Sequence, residues 1–136
     1  MKQKVKYMLL MLMLLPLTQS QAQNNNPTEL EDFKIIIENT DKGVAMKSYD
    51  GSAWIDLSFS LKNDFPQAVD EYGMTKLGKV SDNKDADLAD FLFTITKTDE
   101  GFELKGIEGT AWTAISFTLD ENGGQAIDQF GTRRLN

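Results

Sequence analysis

The chain repeats itself. Residues 29–77 align without a gap on residues 87–135 at a constant offset of 58, with 19 of 49 positions identical. The identities include Phe33/Phe91, Gly43/Gly101, Trp54/Trp112, Phe59/Phe117, Asp70/Asp128 and Gly73/Gly131, and pairs such as Met46/Leu104 and Val69/Ile127 are conservative. An ungapped match of this length marks a duplication, so both copies must adopt one fold.

Each copy reads as strands. Phe33-Ile35-Ile37 and Phe91-Phe93-Ile95 alternate with period two, and Ile36 and Leu92 make the opposite face partly apolar. Asp41-Lys42-Gly43 and Asp99-Glu100-Gly101 supply turn chemistry before a second strand. Asp50-Gly51 and Glu108-Gly109 mark the next turn. The third strand runs from Ala53 to Leu61 and from Ala111 to Leu119, with its odd positions forming an apolar stripe. The segment around residues 66–73 is open to two readings. Pro66 and Gly73 fit a helical turn with Pro at its start, but the counterpart enters through Glu121-Asn122-Gly123-Gly124, which favours a fourth strand.

A four-stranded meander alone leaves one apolar face wet. Two copies cover each other's faces, so the expected fold is all-β: two tandem antiparallel meanders forming one pseudo-symmetric sandwich or flattened barrel of about eight strands. Residues 78–86 read as a polar linker between the copies, and 23–28, with three consecutive asparagines, as a disordered mature terminus.

Residues 1–22 read as a secretory signal. Lys2, Lys4 and Lys6 precede an apolar run from Tyr7 to Leu17, and Ser20-Gln21-Ala22 offers small residues before cleavage at Gln23. The run is about half the ~20 residues that a membrane span needs. With no cysteine to carry a lipid, the expectation is a soluble exported protein, periplasmic or extracellular, without a membrane anchor.

Cleavage removes three lysines and no acids, taking the net charge from −7 to −10. That surface disfavours nucleic acid and anionic bilayers and attracts a cationic partner, though acidity also simply keeps a protein soluble. The absence of His and Cys excludes disulfides, thiolate metal sites, cysteine nucleophiles and His-centred triads. No catalytic residue, metal site or cofactor is expected.

The string Gly109-Thr110-Ala111-Trp112-x-x-Ile115-Ser116-Phe117-Thr118-Leu119, followed by Gln125-Ala126-Ile127-Asp128-x-Phe130-Gly131, resembles small exported proteins of unknown function from Bacteroidetes-type bacteria. The likeness covers one copy at a time. A Met usual after the Gly is present as Met74 and replaced by Thr132 in the second copy. The resemblance implies an exported soluble protein and carries over no catalytic residue.

Trp54 and Trp112 are the leading candidates for a site. Both fall on even positions of the third strand, so period two sends their indoles to the polar face, among Asp56, Ser58 and Ser60 in one copy and Ala114, Ser116 and Thr118 in the other. An indole framed by hydroxyls stacks against a sugar ring or a peptide side chain. A bulge or a covering loop would instead return each indole to packing. Asp70 and Asp128 form either a carboxylate pair for hydrolase chemistry or two turn caps. Asp82, Asp85 and Asp87 lack calcium-loop order, and Lys84 opposes a cation there.

The leading expectation is a non-enzymatic binding protein for a glycan or peptide. The alternatives are an acidic inhibitory or structural partner of a cationic exported protein, and a carboxylate-dependent hydrolase. Exposed sheet edges would permit dimerisation, and the oligomeric state stays open.

Overall fold

A computed structural model describes residues 30–78 and 85–135; the expected signal segment, the mature terminus at 23–28 and most of the linker lie outside these described residues. Alternating apolar residues and regularly spaced turns fold into ten strands, and no helix occurs among the described residues. They are β1 (Lys34–Asn39), β2 (Gly43–Asp50), β3 (Asp56–Ser60), β4 (Gln67–Asp70), β5 (Gly73–Thr75), β6 (Leu92–Lys97), β7 (Gly101–Glu108), β8 (Ala114–Thr118), β9 (Gly124–Asp128) and β10 (Gly131–Arg133). The second five keep the bounds of the first five at the 58-residue offset, except that β9 starts one residue early.

Local chemistry explains the matched turns. The Thr40 and Thr98 hydroxyls accept hydrogen bonds from Gly43 N and Gly101 N, both at 3.1 Å. A Cβ on either glycine would collide with a carbonyl oxygen of the neighbouring strand, Phe59 or Phe117, which accounts for the Gly43/Gly101 identity.

The strands form two five-stranded antiparallel sheets, ordered β10-β9-β1-β2-β3 and β5-β4-β6-β7-β8. The sheets are not closed into a barrel and make a two-sheet sandwich. Pairing crosses between the copies. Ile35 of β1 stands opposite Ile127 of β9, and at the equivalent place Phe93 of β6 stands opposite Val69 of β4. Each copy therefore gives three strands to one sheet and its last hairpin to the other.

The expected all-β sandwich built from two antiparallel halves holds, and within it each copy contributes five strands where a meander of roughly four was expected. The strand reading of the 66–73 segment holds, but that strand leaves its own meander. The connection from β3 to β4 runs through residues 61–66, too long for a tight hairpin, and Asp64 takes a left-handed φ of 70°. Asn122 does the same at 65° in the second copy. These reversals carry the chain across to the opposite sheet.

The inner faces meet in one core. Ile35, Ile37, Val44, Met46, Phe93, Ile95, Phe102, Leu104, Val69 and Ile127 are all buried in it. The Phe33 and Phe91 rings stack at 4.3 Å between centroids. Each is the other's counterpart in the repeat, so they meet as residues do on a two-fold axis. Gln129, itself buried, accepts a hydrogen bond from Phe33 N and donates one to Asp32 Oδ1, tying the second copy's hairpin to the residues that lead into β1. At the edges the expected stripe is partly buried: Leu57, Phe59 and Leu61, with Ile115, Phe117 and Leu119, pack against the core.

Candidate functional site: the open strand edges

The third strand of each copy begins later than its alternation implies, at Asp56 and Ala114. Trp54 and Trp112 consequently lie in the loops before β3 and β8. The Trp112 side chain is buried, 8% exposed, and packs against Phe93 with ring centroids 6.2 Å apart. Trp54 is half-buried and also packs on the core.

Each indole N–H donates to a backbone carbonyl of the hairpin in the opposite sheet: Trp54 to Asp70 O at 3.1 Å, Trp112 to Asp128 O at 3.0 Å. Ala53 N and Ala111 N reinforce this by donating to Glu71 O and Gln129 O, each at 2.8 Å. The tryptophans clasp the exchanged hairpins. Of the two readings of the tryptophans the loop reading holds and the polar-face reading is corrected: a loop, not a strand, carries each indole and returns it to packing.

The aspartates serve their own turns. Asp70 Oδ1 accepts from Tyr72 N, while Asp128 Oδ1 accepts from Phe130 N and Gly131 N and its Oδ2 pairs with Arg133 at 2.7 Å. The two carboxylates lie in different sheets. Asp85 Oδ1 accepts from Asp87 N, and Asp82 lies outside the described residues. No cluster of metal-ligating side chains occurs among the described residues.

Asp56, Ser58 and Ser116 are exposed and stand on β3 and β8, the outermost strands of their sheets. In an antiparallel ladder the N–H and C=O of one residue point the same way. Ile55 O and Leu61 N bond to β2 and its preceding turn, as Thr113 O and Leu119 N bond to β7 and its turn. The odd positions therefore face inward along each sheet. Asp56, Ser58 and Ser60 direct their N–H and C=O away from β2, and Ala114, Ser116 and Thr118 direct theirs away from β7. All six residues are exposed, with side chains too short to shield the backbone.

Natural edges are usually blunted by Lys, Pro, bulges or shortness. The other two edges, β5 and β10, have only three residues each. Strands β3 and β8 have five and contain neither Lys nor Pro. Beside β3 lies a hollow of about 430 Å³, lined by Thr40, Asp41, Lys42, Val44 and the strand residues Ser58, Phe59 and Ser60. Glu121 hydrogen-bonds to Asp41, and this bond, with the Asp41 charge next and slight desolvation last, raises the Glu121 carboxyl above its ordinary value of 4.5. Two carboxyl groups thus sit at the β1–β2 turn that borders the hollow.

Comparison with protein-family models, curated proteins and solved structures finds no match. Alternation already places the outward residues Ser60, Ala114 and Thr118 on the polar face of the third strand, whereas sequence reasoning missed Asp41 and Glu121 as site residues. The signal for the edge residues was available: the strongest alternating strand of each copy contains no Lys or Pro. The Asp41–Glu121 contact joins different copies and has no signature along the chain.

Proposed function

We propose that this is an exported, soluble, non-enzymatic binding protein that takes an extended, basic peptide segment as an added strand on β3. The open row of backbone groups at Asp56, Ser58 and Ser60, bordered by a hollow, is the observation that carries this reading. An added strand gains main-chain hydrogen bonds from the edge and selectivity from pockets for alternate side chains. Asp41, Glu121 and Asp56 outnumber Lys42 and Lys47 at this edge and supply negative charge for a Lys or Arg in the peptide, consistent with the acidic whole.

Export rests on the n-region, apolar run and small-residue site of residues 1–22, and on the resemblance to exported Bacteroidetes-type proteins. A glycan-stacking role loses its platform, since the indoles are engaged in packing. A hydrolase role loses its pair, since Asp70 and Asp128 are committed to separate turns. The lack of His and Cys supports a role without covalent chemistry. The cationic-partner alternative survives as the same surface seen from its charge.

The test is fluorescence anisotropy of a labelled peptide alternating Val with Lys, and of one alternating Val with Glu. The Lys peptide binds and weakens steeply with salt; the Glu peptide does not bind. Ser58→Pro removes one outward N–H that bonds nothing within the sheet, so the fold persists and binding is lost. Undiminished binding by a folded Ser58→Pro variant overturns the reading.

A further inference from the structure

We propose that β8 is a self-association edge, on which two copies of this chain pair their Ala114–Thr118 strands antiparallel about Ser116. The inference rests on the geometry of β8 and stands apart from the peptide reading of β3. Residues 114, 116 and 118 hold the outward backbone groups. A two-fold axis at Ser116 sets that residue opposite the partner's Ser116, and Ala114 opposite the partner's Thr118. Both are hydrogen-bonded pairs, so every outward N–H and C=O of the strand finds a partner.

The side chains agree with this register. It places Ile115 opposite the partner's Phe117 on the inner face, twice by symmetry, as aromatic–β-branched pairs of the favourable kind. Both residues are only partly buried in the single chain because no strand lies beyond them. On the outer face Ala114, Ser116 and Thr118 are small and do not collide. The two five-stranded sheets would then run on as one sheet of ten.

Charge separates β8 from β3. Strand β8 carries no charged residue, whereas β3 carries Asp56 and lies beside Asp41 and Glu121, so pairing β3 with itself would bring acidic groups together. Antiparallel pairing at β8 sends the acidic β6–β7 turns, Asp99-Glu100, to opposite ends. The contact is small for a protein interface, so association depends on concentration. Both subunits are acidic overall, and added salt strengthens the dimer by screening.

The experiment is sedimentation equilibrium on the chain from Gln23, which contains every described strand, up to millimolar concentration. The mass is expected to rise to twice that of the chain, and Ser58→Pro is expected to leave this unchanged. Ser116→Lys retains the backbone donor but sets two like charges together on the axis, and it stays monomeric. Mixing Ser116→Lys with Ser116→Glu restores the doubled mass, showing that neither substitution unfolds the edge. A wild-type chain monomeric throughout, a Ser116→Lys variant that still dimerises, or a mixture that remains monomeric overturns the proposal.

Discussion

Trp112 shows how far a single side chain departs from its sequence pattern. Period two along Ala111–Leu119 assigns its indole to solvent, yet the loop before β8 turns it into the core and satisfies its N–H on Asp128 O. Alternation could not reveal this, because it presumes a strand that starts three residues earlier than β8 does. Removing such a buried aromatic costs about 3–5 kcal/mol. Trp112→Ala is therefore expected to lower the urea midpoint strongly and Trp54→Ala less, since Trp54 is only half-buried. Equal, negligible losses would contradict the clasp.

The Asp41–Glu121 pair makes a second residue-level prediction. The raised Glu121 carboxyl holds its proton to higher pH in the folded chain than in the unfolded one. Its stabilising contribution is thus complete below the unfolded value and fades as pH rises through the raised folded value. The proposed peptide binding is expected to run the other way, because a Lys needs the ionised pair. Affinity for the Val/Lys peptide should fall on acidification through the Glu121 titration. Asp41→Asn should return the Glu121 side-chain carboxyl signal in NMR to the ordinary carboxylate range; an unmoved titration would show that Asp41 is not the cause.

At the scale of elements, much was legible. The inward stripes Phe33-Ile35-Ile37 and Phe91-Phe93-Ile95, the turn glycines at 43 and 101, and the extended character of β4 all follow from alternation and turn chemistry. Which strand lies beside which did not. Strand β9 presents the same alternation whether it pairs with β8 or with β1, so sheet membership was invisible. Aspartates at 70 and 128 read correctly as turn residues. Loss of the Asp128 contacts to Phe130 N, Gly131 N and Arg133 in Asp128→Ala should loosen the β9–β10 hairpin, and amide exchange at Gly131 should quicken more than at Ile37. Uniform acceleration across both sheets would instead mean the turn supports the whole fold.

At the scale of the molecule, exchange of hairpins makes each sheet a joint product of both copies. Neither copy has a complete sheet of its own, and their counterpart phenylalanines stack at the centre. Cleavage within 79–84 should leave two fragments that stay associated and melt together. Separated fragments should each lack a cooperative transition and regain it on mixing. Independent melting of either fragment would contradict the interleaved architecture. A sandwich built this way leaves equivalent edges at β3 and β8, and the sequences of the two strands give those edges different charge.

The open edge of β3 is proposed as the peptide-binding surface in place of the tryptophans. The most direct test follows backbone amide and indole N–H signals by NMR while the Val/Lys peptide is added. The amides of Asp56, Ser58 and Ser60 should shift and gain protection from exchange, with the Trp54 and Trp112 indole signals unmoved. Movement of the indole signals while the β3 amides stay silent would contradict the account and return the site to the tryptophans.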